Sequence, residues 1–122
     1  MSNPITSHVL NTASGRPGSN IRVSLEICTN EETRSSNEEY SFRVLKVSAT
    51  NSDGRVPDLS TGMTLVPSIY RVVFFTQEYF DSAGQQSFYP KVEVLFRVVD
   101  PNEHYHIPLL ISPFGYSTYR GS

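Results

Sequence analysis

Between positions 21 and 28 the chain alternates without a break. Ile21, Val23, Leu25 and Ile27 fall on one side, and Arg22, Ser24, Glu26 and Cys28 on the other. A period of two describes a β-strand with one face in an apolar core, and a helix cannot segregate such a run. Val92, Val94, Phe96 and Val98 repeat the pattern against Lys91, Glu93 and Arg97, and residues 40–47 and 69–75 are rich in β-branched and aromatic side chains. Weaker strands are predicted at 5–10 and 106–112, with a last one at 115–119 limited by its Gly and Ser content. Residues 58–67 read as a loop carrying a short edge strand. Seven or eight short strands make an all-β chain, in number a sandwich or a barrel.

Turn chemistry punctuates these strands. Gly15-Arg16-Pro17-Gly18, Asn51-Ser52-Asp53-Gly54 and Pro101-Asn102 separate them, and Asp53-Gly54 suits the positive φ of a tight turn. Residues 30–39 are a polar run of Asn, Glu, Ser and Thr, predicted to be an exposed, mobile hairpin loop. The one helical segment is 77–83, with Thr76 as its N-cap and Gly84 as its stop. At about two turns it depends on the sheet for its stability. With 122 residues, one domain spanning 1–122 is expected, burying roughly two-thirds of its unfolded surface.

The charge balance restricts the partners. Ten basic against twelve acidic residues give a net charge of -2, without the basic excess that binding to a phosphate backbone requires. Arg far outnumbers Lys, which favours planar recognition of carboxylate-like or imide-like groups. The single cysteine, Cys28, builds neither an internal disulfide nor a thiolate metal site. No apolar run approaches the roughly 20 residues of a membrane helix, and no secretory signal pattern precedes the first strand. The terminal Arg-Gly-Ser is not a Ser-Lys-Leu peroxisomal address. A cytoplasmic or peroxisomal protein is the expectation.

Chemistry rests on few side chains. His104 and His106 share a strand face at spacing two, and His8 shares another with Thr6. Three imidazoles can hold zinc, but His-x-His alone is a weak metal signal, and His104 reads as a solvated polar residue. For His8 and His106 two readings stand: a solvent face, or a polar cavity where a neutral imidazole accepts a proton near pH 7. Arg55, directly after Asp53-Gly54, is either an ordinary surface residue or a bidentate anchor for an oxyanion. Residues 116–122 end in Tyr119, Arg120 and Ser122, which read as a frayed tail unless the Ser122 hydroxyl and carboxylate find partners.

Three blocks of the chain resemble the transthyretin-like 5-hydroxyisourate hydrolases of urate degradation. They are Ile5-Thr6-Ser7-His8-Val9-Leu10-Asn11-Thr12 through Gly15-Arg16-Pro17; Thr50-Asn51-Ser52-Asp53-Gly54-Arg55; and His104-Tyr105-His106-Ile107-Pro108-Leu109-Leu110, followed by Ser112-Pro113 and residues 115–122. Tyr70, Phe74, Tyr79, Phe80 and Pro90 extend the likeness through the middle of the chain, and the polar loop at 30–39 departs from it by its length. The resemblance implies a transthyretin-like sandwich of two four-stranded sheets with one short helix, assembled as a homotetramer. It places His8, Arg55, His106 and the terminal Tyr119-Arg120-Gly121-Ser122 in a cleft at the dimer-dimer interface.

The activity implied is hydrolysis of a ring amide in 5-hydroxyisourate to 2-oxo-4-hydroxy-4-carboxy-5-ureidoimidazoline, without metal or cofactor. In that scheme His8 and His106 activate a water, and Arg55 binds substrate oxygens and stabilises developing negative charge. Ser122 orients the water or a histidine, and His8, Tyr119 and Arg120 contact the substrate, with Arg120 also anchoring the tail. A transthyretin-type carrier of an aromatic ligand shares the architecture and is the alternative; it replaces this polar set with apolar side chains.

Overall fold

The computed structural model describes residues 2–122. Its elements follow in the order β1 (Ile5–Asn11), β2 (Arg16–Pro17), β3 (Arg22–Cys28), β4 (Phe42–Ala49), β5 (Ser68–Phe74), α1 (Thr76–Ser82), β6 (Val92–Val98), β7 (Tyr105–Ser112) and β8 (Gly115–Thr118). The strands form two four-stranded sheets, β2-β1-β7-β8 and β4-β3-β5-β6. This is the two-sheet sandwich with one short helix that the resemblance implies, and it decides between the sandwich and the barrel that the strand count left open.

Every strand pairing is antiparallel except that of β1 with β7, which runs parallel from Ile5 opposite Tyr105 to Asn11 opposite Ile111. A hairpin cannot close a parallel pair. The connection here is the entire second sheet, so residues 100 positions apart sit side by side. Along β1, Ile5, Ser7, Val9 and Asn11 are buried, while Thr6, His8 and Leu10 are half-buried on the other face. On β7, Tyr105, Ile107, Leu109 and Ile111 face the core and leave His106 and Leu110 opposite. Val9, Leu25, Val72, Phe74 and Leu109 are fully enclosed. Each such side chain contributes about 1.5–3 kcal/mol of transfer free energy.

Two local expectations need correction. The extra edge strand is Arg16–Pro17 against Leu10 and Asn11, whereas residues 58–67 form no strand. Thr76 is the first helical residue and not the N-cap; Phe75 holds that place, and the Thr76 hydroxyl is buried without a partner among the described residues. Gly84 does stop the helix, at φ 70°. The 30–39 loop is tethered at both ends. Asn30 Oδ1 accepts the Ser41 amide at 2.7 Å, its amide donates to the Glu39 carbonyl at 2.9 Å, and Arg34 stacks over Tyr40 at 4.2 Å. Ser24 and Glu26, on the polar side of β3, are buried. The Glu26 carboxylate accepts both from the Ser24 hydroxyl and from Arg71, whose guanidinium lies 3.9 Å over the Phe42 ring.

Candidate active site

The parallel register sets Thr6 directly opposite His106 on the outward face of the first sheet, and His8 two positions further along the same face. The loop after β4 brings in the third element. Buried Thr50 anchors it by accepting the Ile21 amide at 2.9 Å and donating to the Gly18 carbonyl at 2.7 Å. Asn51 Oδ1 then accepts the amides of Asp53 at 2.9 Å and Arg55 at 3.1 Å, folding the chain back on itself. Gly54 completes the turn at φ 78°, and its carbonyl accepts the Val9 amide at 2.8 Å. That bridge holds Arg55 beside His8. The Arg55 side chain is exposed and makes no ion pair or hydrogen bond among the described residues.

The terminal residues close the site. β8 runs antiparallel to β7 with Thr118 opposite Leu109, and the same register resumes with Gly121 opposite His106. Tyr119 falls across from Pro108, which has no N–H to donate, so the ladder lapses there. The Thr118 hydroxyl satisfies the Pro108 carbonyl instead, at 2.8 Å. Pairing returns where the Gly121 amide donates to the His106 carbonyl at 2.9 Å. Gly121 lies so close to the His106 ring that any Cβ there would overlap it.

Thr6, Arg55, His104, His106, Tyr119, Gly121 and Ser122 thus line one open depression of about 420 Å³. Its wall is mixed in character, with one imidazole half-buried and one guanidinium free. Burial holds the His106 imidazole below its ordinary pKa, reinforced by the positive charge of Arg55 and by the neighbouring His104 and His8. A neutral ring at physiological pH follows, able to accept a proton.

Of the six residues singled out by sequence, His106, Arg55, Tyr119 and Ser122 line the depression, and His8 borders it through its bridge to Arg55. Arg120 is engaged elsewhere. Its guanidinium donates to the His104 carbonyl at 3.3 Å, lies 3.7 Å from Glu103 and stacks 4.6 Å over Tyr105, contacts that anchor the tail. His104 is exposed but not merely solvated, because its Nε2 lies 2.8 Å from the Thr6 hydroxyl. Thr6 joins these residues in the lining, and its place on the polar stripe with His8 is the sequence signal that points to it. Among the described residues no group of three or more His, Cys, Asp or Glu side chains is arranged to hold a metal ion.

The HIUase/Transthyretin family model matches residues 5–121. The chain belongs to this family. Among the family's relatives, the 5-hydroxyisourate hydrolase of Mus musculus is 41% identical over 121 residues, covering 99% of this chain and 97% of its own. The solved 5-hydroxyisourate hydrolase of Klebsiella pneumoniae superposes with a TM-score of 0.75 at 30% identity, over 97% of this chain and 92% of that one. Sea bream transthyretin in complex with thyroxine superposes at 0.82 with 25% identity, over 98% and 95%. HIUase/Transthyretin members therefore share this sandwich across both an enzyme and a thyroxine-binding protein, and fold alone does not choose between them.

Proposed function

We propose that this protein is a 5-hydroxyisourate hydrolase, opening a ring amide of its substrate to give 2-oxo-4-hydroxy-4-carboxy-5-ureidoimidazoline. The observation that carries the reading is the convergence of a neutral, half-buried His106 with the free guanidinium of Arg55 and the terminal Ser122 in one depression. A carrier of an aromatic ligand has no use for such a set. Near-complete coverage by the mouse enzyme supports the same substrate.

His106, assisted by His8, takes a proton from water as the water oxygen bonds to the amide carbonyl carbon. Negative charge then develops on the carbonyl oxygen, where Arg55 is placed to stabilise it. Collapse breaks the C–N bond. The proton held on imidazole passes to the departing ring nitrogen, leaving a carboxylic acid and a ureido group. Ser122 orients the water, Tyr119 bounds the substrate, and Arg120 fixes the tail that carries both.

A homotetramer with the sites at its dimer-dimer interface is part of this reading. It is supported by the unpaired outer edges of β6 and β8 and by exposed apolar side chains beside them, Leu95 at 47% and Tyr116 at 45%. Unpaired edges of this kind invite pairing with a second copy.

The test is to generate 5-hydroxyisourate in situ with urate oxidase and follow its ultraviolet absorbance. Accelerated decay that disappears on removing residues 119–122 is the expected result. Decay at the spontaneous rate with a folded protein overturns the enzyme reading and favours the carrier.

The pH dependence follows from the sign of the His106 shift. Since the base must be neutral, activity should hold through neutral pH and fall only below the ordinary histidine pKa of about 6.5. The same lowered value means the unfolded chain takes up the proton first. Fold stability should therefore decline as pH falls through that ordinary value, levelling once His106 is protonated in both states. Rate–pH profiles and urea midpoints measured across pH 5–8 check both statements.

A further inference from the structure

The Thr6 hydroxyl lies 2.8 Å from His104 Nε2 and 2.8 Å from His106 Nδ1. A hydroxyl has one hydrogen to donate, so it cannot donate to both rings. The two imidazoles are therefore coupled: how Thr6 spends its proton decides which nitrogen of each ring carries a hydrogen. His106 Nε2 has no partner among the described residues, and Arg55 is the one Arg or Lys side chain lining the depression, with its charge acting on the His106 ring. A positive charge there favours a lone pair facing the depression over an N–H. His106 Nδ1 then carries the hydrogen and donates to Thr6, and Thr6 donates onward to His104 Nε2.

We propose that Thr6 and His104 are positioning residues that hold His106 in its Nδ1–H tautomer, keeping Nε2 free as the base toward the depression. The arrangement is built in at several points. β1 and β7 pair in parallel with Thr6 opposite His106, so the hydroxyl is delivered by strand register and not by a flexible loop. Arg120 holds the His104 carbonyl and Gly121 holds that of His106, so the tail fixes the backbone under both rings. His104 is exposed, which gives the half-buried His106 a hydrogen-bonded path to solvent through one hydroxyl.

The inference rests on the hydrolase reading for its effect on rate, but its first test does not. Long-range proton–nitrogen NMR spectra at about pH 8, above the ordinary histidine range, distinguish the two neutral tautomers of His106 directly. The wild-type ring should be Nδ1–H. Thr6→Val, which keeps the β-branched shape and removes the hydroxyl, should shift it toward Nε2–H, and Thr6→Ser should restore the wild-type spectrum. His104→Phe should give a mixture, because Thr6 then has no acceptor to fix its direction. In the decay assay Thr6→Val should lower kcat roughly tenfold or more with KM little changed, and Thr6→Ser should recover most of it. Should Thr6→Val fold poorly, Thr6→Ala serves in its place. A wild-type His106 in the Nε2–H form, or an unaltered tautomer in Thr6→Val, overturns the proposal even if the protein is an active hydrolase. An Nδ1–H ring in a protein without hydrolase activity refutes the function and leaves the positioning role standing.

Discussion

His106→Ala should fold as the wild type does and lose hydrolysis by at least roughly a hundredfold, the range over which a positioned general base acts. The fold should survive because His106 is on the outward face of β7, opposite the core positions Tyr105 and Ile107. Its backbone pairings with Thr6 and Gly121 do not involve the ring. Arg55→Ala should cost a similar factor for a different reason, since the exposed guanidinium makes no contact that the fold needs and acts where charge develops. The two losses should separate in pH. Removing Arg55 takes away a cation that holds the His106 pKa down, so the acid limb of whatever activity remains should move upward. His106→Ala should abolish that limb altogether. The decay assay, run from pH 5 to 8 beside circular dichroism, reads these outcomes. Near-normal turnover in either variant would sink the assignment.

Gly54→Ala should destabilise the whole protein. Gly54 stands at φ 78°, and a Cβ there would overlap the Val9 carbonyl oxygen, which is backbone and cannot swing aside. The left-handed conformation costs a non-glycine residue about 1–2 kcal/mol, and overpacking adds roughly 1–3 more. A loss of about 2–5 kcal/mol should lower Tm on the order of 10 °C. Because the Gly54 carbonyl accepts the Val9 amide, relief of the clash also moves Arg55 away from His8. Activity measured well below Tm should therefore fall by more than the unfolded fraction explains. Gly84→Ala is the control. Gly84 has a similar φ of 70° but open space where its Cβ would go, so only the smaller conformational cost applies.

What could be read from the sequence divides along the range of the interactions. The strands β3 and β6 are legible because alternation over seven residues is a local property. The two-residue β2 was not, because Arg16 and Pro17 between Gly15 and Gly18 carry only turn chemistry; their pairing with β1 comes from the partner strand. Thr76 misled for a related reason: a Thr before a helical stretch suits an N-cap, but its side chain is drawn inward with the buried Phe80. Nothing within β3 announces that Arg71, far along the chain, pairs with the buried Glu26 carboxylate.

The site followed the same division. His8, Arg55, His106 and Ser122 were singled out by residue type together with the family resemblance, and the structure draws them to one place. Thr6 and His104 were not, because their relation exists only once β1 and β7 lie parallel. The separation of Arg120 from the lining set likewise depends on where Pro108 interrupts the β8 ladder.

The parallel contact of β1 with β7 also bears on how the molecule folds. Bringing together residues 100 positions apart carries a loop-closure cost of roughly 4 kcal/mol, while the hairpins of the second sheet close over far shorter distances. High contact order of this kind slows folding and orders its steps, with local pairings ahead of distant ones. The second sheet should form early, and β1 should wait, with only the two residues of β2 beside it, until β7 arrives. Every group assigned to the reaction depends on that late event. Recovery of activity during refolding should therefore trail the recovery of β-structure, which makes enzymatic turnover a timer for the final docking step.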